Sequence, residues 1–395
     1  MISTDIRTMV STPREHGHSG GVRDYSKNPI LVYWELTRAC SLACRHCRAE
    51  AMAMPDEHEL THGESMTLLS QIAEFKEPLP HLILTGGDPL ERTDIYDLID
   101  EARRLGLTVS ITPSVTPGLT FEVLEKLKAH GIDSLGLSLD GSCATRHEVV
   151  RGVRGCFDWT VRAAQNAAAL GLPIQINTLV AQETLDDLPR IYELLKTLKI
   201  MRWSLFFLIS VGRGKMLQPV TPEQGEQCMR WIFDLSEEAP FQIKTTEAPS
   251  YRRVALSQMK KAGKTGQEIE RTSVYRGFGI RDGNGIMFVS NDGMIYPAGF
   301  LPLTAGNVRR DHLVDIYRHS PFFRALHTPN EFRGKCGVCE YRALCGGSRA
   351  RAFAVTGDPL ASDPFCPYEP GLTRKELWSA APRTGNPAEG ASHHS

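Results

Sequence analysis

The sequence predicts an α/β protein, a partial (β/α)6 TIM-like barrel followed by a small cysteine-rich α+β region. Two patterns predict it. Strand-like apolar runs alternate with helix-like periods over residues 30–225, and seven of the ten cysteines fall in two groups, one towards each end of the chain. Alternating strands and helices argue for a parallel sheet, and helices covering one face curl such a sheet towards a barrel. Six units are too few for the usual eight-unit closure, so the barrel should stay open on one side.

Residues 1–29 are polar and are expected to form a mobile arm. ILVYWEL (30–36) reads as the first strand, with a cysteine loop immediately after it. HLILTGG (81–87), LTVSIT (107–112), DSLGLSLD (133–140), PIQINTLV (173–180) and RWSLFFLI (202–209) are the further strands, rich in β-branched or other apolar residues. Between them, DIYDLIDEARRLG places Ile95, Leu98, Ile99, Ala102 and Leu105 at helical spacing, with Gly106 as the stop. TLDDLPRIYELLKTLK repeats the pattern with Leu185, Leu188, Ile191, Leu195 and Leu198, and puts Pro189 in its first turns. A helix near 222–237 leads into a helical connector, 226–275. The style then changes: GIMFVSNDGMIYPAG (285–299) predicts a β-hairpin around an Asn-Asp-Gly turn. A short helix near 312–326 and the second cysteine group complete a region spanning 276–370, and 371–395 is expected to be a disordered tail.

Composition narrows the function. Lys plus Arg total 45 against 46 Asp plus Glu, so no strong field favours nucleic acid or an anionic membrane. No run of about 18 apolar residues suggests a membrane span, and the polar N-terminus lacks a signal-peptide core. A cytoplasmic protein is expected. In such a chain clustered cysteines point to metal rather than to disulfides; the scattered Cys143, Cys156 and Cys228 read as plain thiols.

The first group, TRACSLACRHC (37–47), sets Cys40, Cys44 and Cys47 at C-x3-C-x2-C. Following the first strand, it lies at the C-terminal mouth of the barrel, where such folds keep their active sites. Three thiolates can hold three irons of a 4Fe–4S cluster and leave the fourth iron open. The alternative is a structural zinc with a remote fourth ligand such as His46 or His58.

With His46 before the last cysteine, this stretch resembles the radical S-adenosylmethionine enzymes. The resemblance implies that the open iron is chelated by the amino and carboxylate groups of S-adenosylmethionine. An electron from an external donor such as flavodoxin or ferredoxin then splits the sulfonium through the reduced cluster. The resulting 5′-deoxyadenosyl radical takes a hydrogen atom from substrate. LTGGDP (84–89) supports the resemblance, since the corresponding family loop binds the amino group of S-adenosylmethionine; it supplies Gly86, Gly87, Asp88 and Pro89. In LSLDG (137–141), Ser138 and Asp140 stand where relatives contact ribose or carboxylate, with a helix N-cap an equal reading for Asp140. Asn177 on the fifth strand could point towards the nucleoside.

The second group, Cys336, Cys339, Cys345 and Cys366, is spaced C-x2-C-x5-C-x20-C, enough to saturate one metal centre. A four-cysteine zinc site is the plain alternative. The group and the hairpin before it resemble the SPASM or twitch auxiliary-cluster region of many radical S-adenosylmethionine enzymes. Relatives with two auxiliary clusters carry cysteine where this chain has Ala298 and Ser348, so one auxiliary 4Fe–4S cluster is implied. CEYRALCGGSRARAFAVTGD (339–358), DPFCPYEP (363–370) and KTTEAPSYRR (244–253) most resemble the tetrapyrrole-modifying subgroup. That subgroup acts in haem d1 formation and in the alternative route to haem, removing acetate- or propionate-derived carbon from an iron porphyrinoid. Arg252, Arg253, Arg349 and Arg351 are then candidates to pair with substrate carboxylates, although surface arginines in solvent would read the same. Two further readings stand beside this one. A SPASM maturase would act on a ribosomally made peptide, but the first 29 residues are too short and polar for the winged-helix domain such enzymes often carry. A non-catalytic zinc-binding protein would belong to another class altogether.

Overall fold

The computed structural model describes residues 24–371 apart from Ala43 and Glu77, so most of the expected arm and tail lies outside the described residues. Residues 24–29, expected to belong to the mobile arm, are fastened instead. Tyr25 is buried, its hydroxyl donates to the Arg276 carbonyl at 3.0 Å, and its own carbonyl accepts from the Tyr317 hydroxyl.

The six expected strands form: β1 (Leu31–Glu35), β2 (His81–Thr85), β3 (Thr108–Ile111), β4 (Ser134–Ser138), β5 (Ile174–Val180) and β6 (Arg202–Phe207) lie parallel in that order. Between them run α1 (His62–Ala73), α2 (Ile95–Arg104), α3 (Phe121–Ala129), α4 (Ala144–Arg151), α5 (Cys156–Ala169) and α6 (Leu188–Thr197). One row of each strand, including Val32, Trp34, Leu82, Leu84, Leu135 and Leu137, is buried against helix residues such as Leu68, Ile72, Leu98 and Ile99. Each such side chain contributes about 1.5–3 kcal/mol by leaving water. Strand side chains alternate, so the opposite row, Tyr33, Ser138, Asn177 and Ser204 among it, faces the barrel lumen.

The expected helical connector contains a strand. β7 (Gln242–Thr246) adds a seventh parallel strand beside β6, registering Arg202 with Gln242 and Phe206 with Thr246. Its sequence, QIKTT, gave no apolar run because it is the last strand on that side of the sheet and its Gln242 and Lys244, in register with Arg202 and Ser204, face the lumen and stay exposed there. It is flanked by α7 (Pro222–Ser236), which opens with a Thr221–Gln224 capping box, and by α8 (Tyr251–Lys261).

The cysteine-rich region joins the same sheet. β8 (Arg281–Asp282) pairs with β9 (Gly285–Val289), which forms the expected hairpin with β10 (Met294–Tyr296); β11 (Gly306–Asn307) follows. β9 also runs parallel to β1, with Leu31 opposite Ile286 and Trp34 opposite Val289. The path is β11-β10-β9-β1-β2-β3-β4-β5-β6-β7, and among the described residues its two ends do not meet, which leaves the barrel partial. The helix expected near 312–326 is two, Leu313–His319 and Pro321–His327, because Ser320 caps the second and Pro321 occupies its first position. Phe365, next to Cys366, is wedged against Phe207 and Gly225, and pins the last cysteine to the barrel.

Candidate active site at the mouth of the barrel

The cysteine loop leaves β1 and is zipped to the loop after β2. Gly87 N donates to Thr37 O and Asp88 N to Ala39 O, each at 2.7 Å. A Cβ on Gly86 would come within 2.5 Å of Thr37 O, and one on Gly87 would lie 2.6 Å from Arg38 O and overlap Ala39 O. The two glycines therefore let backbone meet backbone. Asp88 is buried, and its Oδ1 accepts from Leu90 N at 3.1 Å and Ser114 N at 3.3 Å. Burial pushes its carboxyl up to about 6. Pro89 opens the short 3-10 turn Pro89–Glu91. Ser114 ties the parts together: its hydroxyl donates to Gly87 O at 2.8 Å and lies 3.1 Å from Cys40 Sγ. The sequence reading passed over Ser114; its place just beyond the third strand was the available signal.

On the other side α4 supports the loop. Asp140 does not cap that helix, whose N-cap is Cys143 without a side-chain bond. Its Oδ1 accepts from Leu179 N at 2.7 Å, while Oδ2 faces Arg151 Nε at 3.1 Å and His46 Nε2 at 3.7 Å. Burial opposes this carboxylate's charge, but Arg151 and His46 outweigh it and hold it below the usual range. Arg151 also reaches Cys44, with Nη1 3.5 Å from the sulfur. Nothing at sequence level had marked Arg151. Ser138 and Asn177 stand opposite each other in the β4–β5 register, and Asn177 Oδ1 accepts from Gln175 Nε2 at 2.8 Å.

All ten cysteines are free. In the second group, backbone N–H groups point at sulfur: Asp363 N at Cys336 and Tyr341 N at Cys339, both 3.4 Å, and Gly347 N at Cys345, 3.3 Å. Such donors stabilise ligating thiolates. Burial pushes Cys339 up to about 11 and Cys345 up to about 12, so these thiols ionise at neutral pH only against added positive charge, which a metal centre brings. The donor set thus fits iron–sulfur ligation.

Three of the four candidate substrate arginines are engaged by the protein. Arg253 pairs with Glu226 and lies over Tyr368. Arg349 is fully buried; it donates to Ala361 O at 2.7 Å and Pro359 O at 3.1 Å, and approaches Cys336 Sγ at 3.6 Å. It clamps the second cysteine loop. Arg351 stacks on Phe365 at 4.5 Å, with Asp363 at 3.6 Å. Arg252 differs: among the described residues no ion pair or side-chain hydrogen bond engages it, and its Nη1 is buried without a partner. Ser348 donates to Glu247 Oε2 at 2.8 Å, which links the second cysteine loop to the end of β7.

Residues 34–195 match the model of the radical SAM superfamily. The chain is 37% identical over 348 residues to AdoMet-dependent heme synthase of Methanosarcina barkeri, covering 87% of this chain and 97% of that protein. It is 27% identical to pre-heme d1 synthase of Dinoroseobacter shibae, covering 85% of each. Among solved structures, Streptococcus suis SuiB bound to the precursor peptide SuiA superposes with a TM-score of 0.65 at 18% identity, covering 87% of this chain and 76% of SuiB.

Proposed function

This chain belongs to the radical S-adenosylmethionine superfamily, and from that premise we propose that it removes carboxylate-derived carbon from the side chains of an iron tetrapyrrole in haem biosynthesis. One observation carries the substrate: the likeness to AdoMet-dependent heme synthase extends over 87% of the chain at 37% identity. The likeness to peptide-bound SuiB, at 18%, is one of fold alone.

Cys40, Cys44 and Cys47 would hold the 4Fe–4S cluster that, once reduced, cleaves S-adenosylmethionine to the radical that takes hydrogen from substrate. The chain supplies the setting. Arg151 and Ser114 steady two of the three sulfurs, and the Gly86–Pro89 loop, zipped to the cysteine loop, presents its backbone to the amino end of S-adenosylmethionine. Ser138, Asp140 and Asn177 line the side facing the nucleoside. Cys336, Cys339, Cys345 and Cys366 hold one auxiliary cluster, and Arg252 is the arginine left to meet a substrate carboxylate. The electron comes from an external flavodoxin- or ferredoxin-type donor in the cytoplasm.

The test is anaerobic incubation of reduced, reconstituted protein with S-adenosylmethionine and iron-coproporphyrin III or didecarboxysiroheme, followed by mass spectrometry. The expected result is 5′-deoxyadenosine together with loss of carboxyl-derived mass. Cleavage without turnover of any tetrapyrrole overturns the substrate, and zinc in place of about eight irons per chain overturns the chemistry.

A further inference from the structure

Among the described residues, the lumen wall of β6 and β7 is cationic and lacks counter-ions. Trp203 and Leu205 point into the helix-packed core, so Arg202 and Ser204 face the lumen. In register, Ser204 stands between Asn177 and Lys244. Lys244 therefore continues the row in which Ser138 and Asn177 face the nucleoside. It lies within electrostatic reach of His81 across the lumen, of Arg202 on β6 and of Arg252 on α8, yet it remains accessible to solvent.

Among the described residues none of these three cations has a carboxylate partner. Arg202 donates only to neutral amides, to Gln242 Oε1 at 2.8 and 3.1 Å and to Gln175 Oε1 at 3.3 Å. Arg252 keeps a buried, unpartnered Nη1, and the Cys345 thiol of the second cysteine loop lies within its electrostatic reach. Glu247, next along from β7, does not neutralise them: burial and then Asp282 push its carboxyl up to about 8. Uncompensated cations brought together in a lumen await an anion.

We propose that Lys244, backed by Arg202 and flanked by Arg252, forms an anion subsite inside the barrel that takes a carboxylate of the substrate. The inference rests on the tetrapyrrole reading and deepens it. The subsite would seat an acidic side chain between the nucleoside row and the second cysteine loop, with Lys244 as a positioning residue. Enclosure by the walls of the lumen, and after it Arg202 and Arg252, hold Lys244 down to about 8, as expected of an ammonium that lacks its anion.

The experiment titrates the reconstituted protein with iron-coproporphyrin III and with its tetramethyl ester, read by Soret absorbance, and measures S-adenosylmethionine binding by equilibrium dialysis. The wild-type protein should prefer the free acid. Lys244→Gln should weaken acid binding about tenfold, the loss of one charge-assisted contact, and leave ester and S-adenosylmethionine binding in place. Lys244→Arg should restore most of the preference, which separates charge from folding. Equal acid binding by wild type and Lys244→Gln overturns the subsite alone. Weakened S-adenosylmethionine binding with porphyrin binding intact reassigns the subsite to the cofactor's own carboxylate, and also overturns it. A wild-type protein that binds neither porphyrin overturns the tetrapyrrole reading, and the subsite's substrate with it.

Discussion

The Arg151 guanidinium stands 3.5 Å from the Cys44 sulfur while its Nε lies 3.1 Å from Asp140, so one side chain of α4 carries both a cysteine of the first loop and a buried carboxylate. Removing it strands Asp140 without its main partner. Arg151→Met is expected to cost about 3–5 kcal/mol, as for a broken buried ion pair. Iron should fall from about eight to about four per chain, because the second site is built from other segments. Arg151→Lys keeps the charge but loses the fork, and should fall between the two. Iron assay and thermal unfolding measure both; full iron content in Arg151→Met would contradict the assigned role.

Gly87→Ala should be far more damaging than its size suggests. The new methyl would collide with the Arg38 and Ala39 carbonyls, which belong to backbone that cannot step aside. The expected outcome is loss of reductive S-adenosylmethionine cleavage with the second cluster retained, read by 5′-deoxyadenosine yield and iron content. Near-normal cleavage would mean that the two loops are not held together as described.

Gly225→Ala tests the far end of the chain. Helix propensity alone favours this change within α7 by about 1 kcal/mol. The structure predicts the opposite sign, since the added Cβ would overlap Phe365 and lie 2.8 Å from its Cε1. Displacing Phe365 displaces Cys366, so the variant should lose stability and second-cluster iron while some uncoupled cleavage persists. A gain in melting temperature would refute the wedge.

Acid should unfold the protein through its buried histidines. His81, His147 and His327 are each held down to about 4, in every case chiefly by burial. A depressed folded-state value means that the unfolded chain binds protons the folded chain refuses. Stability is therefore full above the ordinary histidine value of about 6.5 and is lost as pH falls from there through about 4. Denaturant midpoints measured across that window should decline. His81→Gln should flatten the decline by up to one proton, and an unchanged slope would count against the assignment.

Most of the barrel was legible in the sequence because its strands are buried on the helix side and therefore read as apolar runs. β7 was hidden: Gln242, Lys244 and Thr246 face a polar lumen, and a strand with such a face carries no apolar signature. The cysteine groups were legible from spacing alone. The arginines were not, because SYRR and GGSRARA show only that cations are present. Whether each meets solvent, an acid such as Glu226, or the carbonyls that occupy Arg349 depends on residues brought from elsewhere in the chain. Arg151 and Ser114 were missed for the same reason, since their importance lies in contacts to Cys44 and Cys40 that follow only from the folded path.

The parallel pairing of β1 with β9 has a consequence for how the molecule is made. Leu31 finds its partner at Ile286, so the strand that carries the first cysteine loop waits through most of synthesis before its second edge is covered. Such long-range closure is slow, and until it happens β1 shows a bare row of N–H and C=O groups to any passing strand. A chain cut after residue 275 would keep every cysteine of the first loop and still leave that edge open. The expected failure of such a truncation is aggregation, not a clean half-enzyme, and the last third of the sequence acts as the lock on the first strand.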